Sequence, residues 1–184
     1  MDYRPATKRD AEAIAALHAE SWRTNYRGAF SETFLDGEVF EDRWAVWSER
    51  LSEIGRSHDT VVSEDAGVII GFAHTVLDHD PVWGAFLDNL HVARQAKRRG
   101  VGTQLMARSA TAILARGRHR SLYLLVLETN AAAQAFYEAR GGTCVGSEVS
   151  EPPGGGSIVG LRYVWKDSSV LLPHPRSTRS ARYV

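Results

Sequence analysis

Cysteine, long apolar runs and net charge are what this chain has least of. Cys144 is the only cysteine. That rules out an intrachain disulfide and fits a reducing, cytoplasmic setting. Cys144 itself is expected to be a buried strand residue, because free cysteine is among the most buried residue types. No apolar run approaches the roughly 20 residues that a membrane span needs, so no membrane association is expected. Met1–Pro5 lacks the apolar core of a secretory signal. Lys plus Arg number 22 and Asp plus Glu also 22, a formal net charge of zero. A zero balance argues against a general nucleic-acid binder. His, Cys and carboxylates fall nowhere at metal-ligand spacing, so no metal is expected.

What is present is unevenly placed. Arg94 to Arg120 holds eight basic residues and no acidic one, while Glu32 to Asp65 holds ten acidic and three basic residues. Such segregation points to an anionic ligand near the first block. The acidic block reads equally as a solvated face or as a surface for a cationic ligand.

Periodicity and punctuation divide the 184 residues into one domain over residues 1–166, with a Ser-, Pro- and Arg-rich tail, 167–184, expected to be disordered. Tyr3–Ala6 reads as a short strand. Thr7–Asp10 resembles a capping box opening a helix that ends near Trp22–Tyr26. Ser31–Ile54 reads as helical with a break at Asp36-Gly37. Thr60–Ser63 and Val68–Leu77 read as a strand pair, and Ala85–Val92 as the next strand. Gly102–Arg116 carries a helical stripe of Leu105, Met106, Ser109, Ala112 and Ile113. Leu122–Leu127 is a continuous apolar run, as expected of a strand covered on both faces. Asn130 caps a helix running to Arg140, which Gly141 stops. Thr143–Val149 and Ile158–Trp165 form a last hairpin. This is a mixed α/β order, not the strict alternation of a doubly wound sheet.

Between the strand ending at Val92 and the helix opening at Gly102 lies Lys97-Arg98-Arg99-Gly100-Val101-Gly102-Thr103. A strand, a basic glycine loop and a helix N-terminus bring amides and positive charge together, where a phosphate can sit. The spacing is neither that of a nucleoside-triphosphate loop nor Gly-x-Gly-x-x-Gly, whose third glycine would fall at Leu105. ATP and dinucleotides are therefore disfavoured.

Taken with Leu90-His91-Val92, with Leu122–Asn130 and with Ala133–Gly141, the loop resembles the GNAT family of N-acetyltransferases. The resemblance is close over Ala85 to about Val149 and looser before it. It implies a GNAT-like fold, a central mixed and mostly antiparallel sheet flanked by helices. It implies acetyl-CoA as acyl donor and an amine of a small molecule or peptide as acceptor. Leu90, His91 and Val92 would pair with the pantetheine arm through backbone groups. Lys97, Arg98, Arg99, Gly100, Val101, Gly102 and Thr103 would hold the pyrophosphate. Lys97 stands where relatives commonly carry Gln or Arg. Asn130 would approach the arm, and Tyr137 would stand near the sulfur. Members often pair, so a homodimer is the expectation.

The chemistry needs an acid and a base. A phenol with pKa about 10 is protonated at neutral pH and can donate to a departing thiolate, the role implied for Tyr137. An ammonium with pKa near 10.4 is a free amine in only about one molecule in a few thousand at pH 7. A proton acceptor is therefore required. Asp88 is the first candidate: two residues before Leu90, it is expected on the same strand face. Glu128 and a water chain are the alternatives, and Phe86 occupies the position where many relatives carry an acid. Gly142 replaces an aromatic residue usual in the family, which is expected to loosen packing behind the Tyr137 helix. His18, Ser21, Trp22, Tyr26 and Arg27 are candidates to line the acceptor side. The alternative function is a non-catalytic acyl-CoA-binding sensor or scaffold. Phe86 favours it, and the joint presence of Asn130 and Tyr137 disfavours it.

Overall fold

A computed structural model describes residues 1–52, 55 and 57–173. Seven strands form one sheet in the order β1-β2-β3-β4-β5-β7-β6. They are β1 (Asp2–Pro5), β2 (His58–Asp65), β3 (Val68–Asp80), β4 (Gly84–Val92), β5 (Leu122–Leu127), β6 (Thr143–Ser150) and β7 (Ile158–Trp165). Every neighbouring pair is antiparallel except β4–β5. The helices are α1 (Ala11–Asn25), α2 (Glu32–Asp36), α3 (Val39–Ser52), α4 (Val101–Arg116) and α5 (Ala131–Glu138).

Neighbouring residues on β3 define the two layers, since successive side chains point to opposite faces. Phe72 packs with Ile14 and Ala15 of α1 and Trp47 and Leu51 of α3. Ala73 belongs to the larger cluster with Val101, Leu105, Met106 and Ile113 of α4, Leu122 and Leu124 of β5, and Tyr137 of α5. So α1 and α3 cover one face, and α4 and α5 the other. Of the expected α4 stripe, Leu105, Met106, Ser109 and Ile113 are buried, and Ala112 is half-buried. At the entry to α1, the Thr7 amide donates to Asp10 Oδ2 at 2.7 Å, and Arg4 clamps the same carboxylate at 2.8 Å. Gly37 separates α2 from α3 where the break was expected. The expected helix end at Ile54 lies outside the described residues.

Two irregularities shape the centre of the sheet. β4 and β5 pair only through Ala85↔Leu122 and Phe86↔Tyr123. Beyond those pairs they part, leaving facing edges without ladder partners. On its other edge, β4 pairs with β3 through a register that passes from Thr75↔Leu87 to His74↔Asn89, which makes Asp88 the extra residue of a β-bulge.

Two expectations about the C-terminal part are corrected. Cys144 is exposed. It lies on β6, the terminal strand of the sheet, which has no fully buried residue. The tail does not begin at Asp167. The Asp167 side chain accepts from the Ser169 amide, a 3-10 turn follows over Ser168–Leu171, and Leu171 enters the core beside α4. Residues 174–184 lie outside the described residues.

Gly84 opens β4 at φ +81°, and a Cβ there would lie 2.6 Å from the Ser121 carbonyl oxygen. Gly84→Ala combines left-handed strain with a backbone collision at the parallel β4–β5 contact. It is expected to cost on the order of 2–3 kcal/mol, at about 2–4 °C of melting temperature per kcal/mol for a chain this size. A melting curve matching that of the unsubstituted protein would contradict this.

Candidate active site

The parting of β4 and β5 opens a slot through the sheet. Antiparallel ladders alternate, so each strand residue turns both its amide and its carbonyl to the same edge. The Ala93 amide donates to the Ile70 carbonyl at 2.9 Å. His91, two residues earlier and opposite Phe72, therefore spends its own backbone groups on β3. Leu90 and Val92 present theirs to the slot. This corrects the expectation for His91: it is a wall residue, with Nδ1 2.8 Å from the Ser21 hydroxyl of α1.

At the far end of β4 the glycine loop turns into α4. Arg98 at φ +64° and Gly100 at φ +81° flank Arg99, an alternation that gathers successive amides on one concave side. The first helical bond runs from the Gln104 amide to the Gly100 carbonyl at 3.1 Å. The amides of Val101, Gly102 and Thr103 thus precede the helical ladder and are available to an anion. α4 begins at Val101, one residue before the expected Gly102. Lys97 and Arg98 are exposed and form no ion pair among the described residues. Arg99 instead reaches Asp65 at 2.7 Å. These donors, the helix dipole and two free cations suit a diphosphate.

α5 closes the slot from the other side. Asn130 caps it, accepting from the Ala133 amide at 3.1 Å. Its second turn presents Tyr137, which is 9% exposed and ringed by Phe136, Tyr163 and Trp165. Burial, with the Tyr26 ring nearby, raises the Tyr137 phenol above its ordinary value. Burial likewise pushes Tyr26 up to about 12, with Asp88 adding to the effect. Both phenols therefore stay protonated at neutral pH, as hydrogen-bond donors must. Tyr26 closes α1, and its proximity to both Tyr137 and Asp88 draws residues from the two faces of the sheet to one place.

The bulge changes where Asp88 points. Asp88 pairs with Arg50 of α3 at 2.6 Å, and Arg50 also donates to Asn89 Oδ1 at 3.0 Å. Leu90 packs toward the α4 cluster. Asp88 and Leu90 thus lie on opposite faces, not on the same one, because the extra residue inverts the alternation. Glu128 is exposed at the end of β5, its amide held by the Val159 carbonyl at 3.0 Å. The expected loosening at Gly142 is also corrected. Trp165 occupies the space, since a Cβ on Gly142 would meet its ring at 2.6 Å. The Trp165 indole donates to the Arg140 carbonyl at 2.8 Å.

Of the residues proposed for the acceptor side, His18 and Trp22 are core. His18 Nδ1 accepts from the Trp47 indole at 3.0 Å. Arg27 is tied to Glu32 and Asp36, so part of the acidic block neutralises an arginine just before it. Sequence reasoning missed Arg50, Phe136 and Arg140. The first is joined to Asp88 only by tertiary packing. The other two sit within a motif read for Tyr137 alone.

The profile described as "Acetyltransferase (GNAT) family" matches residues 15–142. The chain is 28% identical over 141 residues to YuaI of Bacillus subtilis (strain 168), an uncharacterized N-acetyltransferase, covering 74% of this chain and 76% of that one. Its fold is similar to that of the PaiA N-acetyltransferase from Thermoplasma acidophilum in complex with coenzyme A. There the TM-score is 0.65 at 20% identity, over 89% of this chain and 98% of that one. It is similar also to yncA from Salmonella typhimurium, solved with its cofactor acetyl-CoA. There the TM-score is again 0.65 at 20% identity, over 95% and 96% of the two chains.

Three buried histidines set an acid limit to this architecture. Burial holds His18 well below its ordinary value, and lowers His91 to about 4 and His74 to about 3. The unfolded chain binds these protons first, near pH 6.5, so their contribution is complete above that value and is lost as pH falls toward the folded pKa. The urea midpoint is expected to fall between pH 7 and 5, as the unfolding free energy drops by on the order of 1–2 kcal/mol per histidine. A midpoint independent of pH across that range would contradict the neutral burial of these histidines.

Proposed function

Because the chain belongs to the GNAT family of acetyltransferases, with acetyl-CoA as its donor, we propose that it transfers the acetyl group directly to an amine of a small molecule or peptide. The observation that carries this reading is the continuity of one slot. It runs from the amides and cations at the start of α4, past the open edge of β4 at Leu90 and Val92, to Tyr137. Val101, Gly102 and Thr103 amides, with Lys97 and Arg98, hold the diphosphate. Leu90 and Val92 pair with the amide-bearing arm as an added strand would. Asn130 caps α5 and faces the same arm.

The reacting end lies between Tyr137 and Asp88. The amine attacks the thioester carbonyl with no covalent enzyme intermediate. An open β4 amide at this point of the slot stabilises the developing oxyanion. Asp88, held by Arg50 on the α1–α3 face, takes the proton that the amine must lose. Tyr137 donates to the thiolate as it leaves. With its phenol raised by burial, Tyr137 acts by stabilising the sulfur charge through a hydrogen bond, and the amine proton balances the released thiol. No helix among the described residues is long and apolar enough to cross a membrane. The exposed, unpaired Cys144 thiol supports placing the reaction in the reducing cytoplasm.

A panel of amines, screened by thiol release from acetyl-CoA, tests the reading. Tyr137→Phe is expected to lower kcat by about 10²-fold or more, with acetyl-CoA affinity kept. Asp88→Asn is expected to lower kcat similarly. Undiminished turnover in either variant, with chemistry shown to be rate-limiting, would remove that residue from its role. Tight acetyl-CoA binding with no thiol release on any amine would favour the sensor or scaffold instead.

A further inference from the structure

Arg140 follows α5 and turns its guanidinium onto the start of α4. Nε donates to the Thr103 hydroxyl at 3.1 Å, and a second nitrogen donates to the same oxygen. The third nitrogen donates to the Phe136 carbonyl at 2.7 Å. The guanidinium carbon lies 3.6 Å from the Phe136 ring centre. No carboxylate pairs with this cation among the described residues. Phe136 in turn rests against Gly102, where a Cβ would come within 3.1 Å of the ring.

Charge placement makes this arrangement unfavourable by itself. A half-buried guanidinium sits beside a helix N-terminus, whose partial charge is also positive. An anion at that terminus balances both. The hydrogen bonds add a directional argument. A threonine hydroxyl has two lone pairs and one proton. Arg140 fills both lone pairs of Thr103, and the Thr103 proton finds no acceptor among the described residues. The hydroxyl is thereby left as a pure donor, next to the free amides of Val101, Gly102 and Thr103.

We propose that Arg140 is a positioning residue for the donor's diphosphate: it locks the Thr103 hydroxyl as a donor toward that group and supplies a balancing charge. The proposal rests on the acetyl-CoA reading and goes beyond the loop. It ties phosphate recognition on α4 to the helix that carries Asn130 and Tyr137, so occupancy of the phosphate end steadies the reacting end.

Calorimetry and competition binding with three probes test it: coenzyme A, dephospho-coenzyme A (which keeps the diphosphate but lacks the 3′-phosphate), and pantetheine, which has no phosphate. Arg140→Ala is expected to weaken both phosphorylated probes by about tenfold, as for loss of one charge-assisted contact, and to leave pantetheine within about twofold. Thr103→Val is expected to give the same pattern with a smaller loss, and the double variant to bind like Arg140→Ala. Arg140→Lys, which keeps the charge without the fork, is expected to recover part of the loss. Equal losses on all three probes would reduce Arg140 to a packing role and overturn the proposal. A loss confined to coenzyme A would place the contact at the 3′-phosphate and overturn it too. So would multiplying losses in the double variant. Failure of the unsubstituted protein to bind coenzyme A at all would instead overturn the acetyl-CoA reading beneath it.

Discussion

The site depends on the shortness of one strand pairing. β4 and β5 run parallel and bond through only two residue pairs. Buried backbone groups must be satisfied, so a sheet that parts at its centre invites something to complete it. Water can do so, and an extended chain with its own amides can do so with better order. The parting also sets apart the layers to either side. Tyr137 of α5 and Tyr26 at the end of α1 come from helices on opposite faces, yet Tyr26 lies near enough to raise the Tyr137 phenol. Proximity across a sheet is ordinarily blocked by the sheet itself. Here the slot permits it.

The anion end follows from local chemistry. Positive φ at Arg98 and Gly100 turns amides inward, and the first turn of α4 adds three more. Left-handed backbone at a non-glycine residue such as Arg98 costs on the order of 1–2 kcal/mol. That strain is tolerated at a place where the amides converge, the pattern expected when backbone shape serves a ligand. Aromatic packing sustains the reacting end. Trp165 against Gly142, and Phe136 against Gly102, seat α5 at fixed height over the slot. Beside Gly142 the ring comes from Trp165 of β7.

Much of this was legible in the order of residues. The strand-loop-helix around Gly100, the Asn130 cap and the buried run Leu122–Leu127 are local patterns, and each appears as read. The misreadings share a cause. The face of Asp88 depends on a bulge, which exists only in relation to β3 and cannot be seen in β4 alone. Cys144 has the sequence neighbourhood of a buried strand, but β6 ends the sheet. Leu171 looked like part of a polar tail, and its burial depends on a hollow beside α4. The partners of Asp88 and Thr103, namely Arg50 and Arg140, lie about 40 residues away along the chain. Non-local packing decides such contacts, and composition carries no trace of it.

Amide hydrogen exchange with and without coenzyme A tests the central claim most directly, because it reads the slot residue by residue. If the slot is the donor site, the amides of Leu90 and Val92 and those of Val101 to Thr103 slow markedly on binding. His91, whose amide is already bonded to β3, stays unchanged. Protection at His91 alone, or binding without slowing at Leu90, Val92 and the start of α4, would contradict the account.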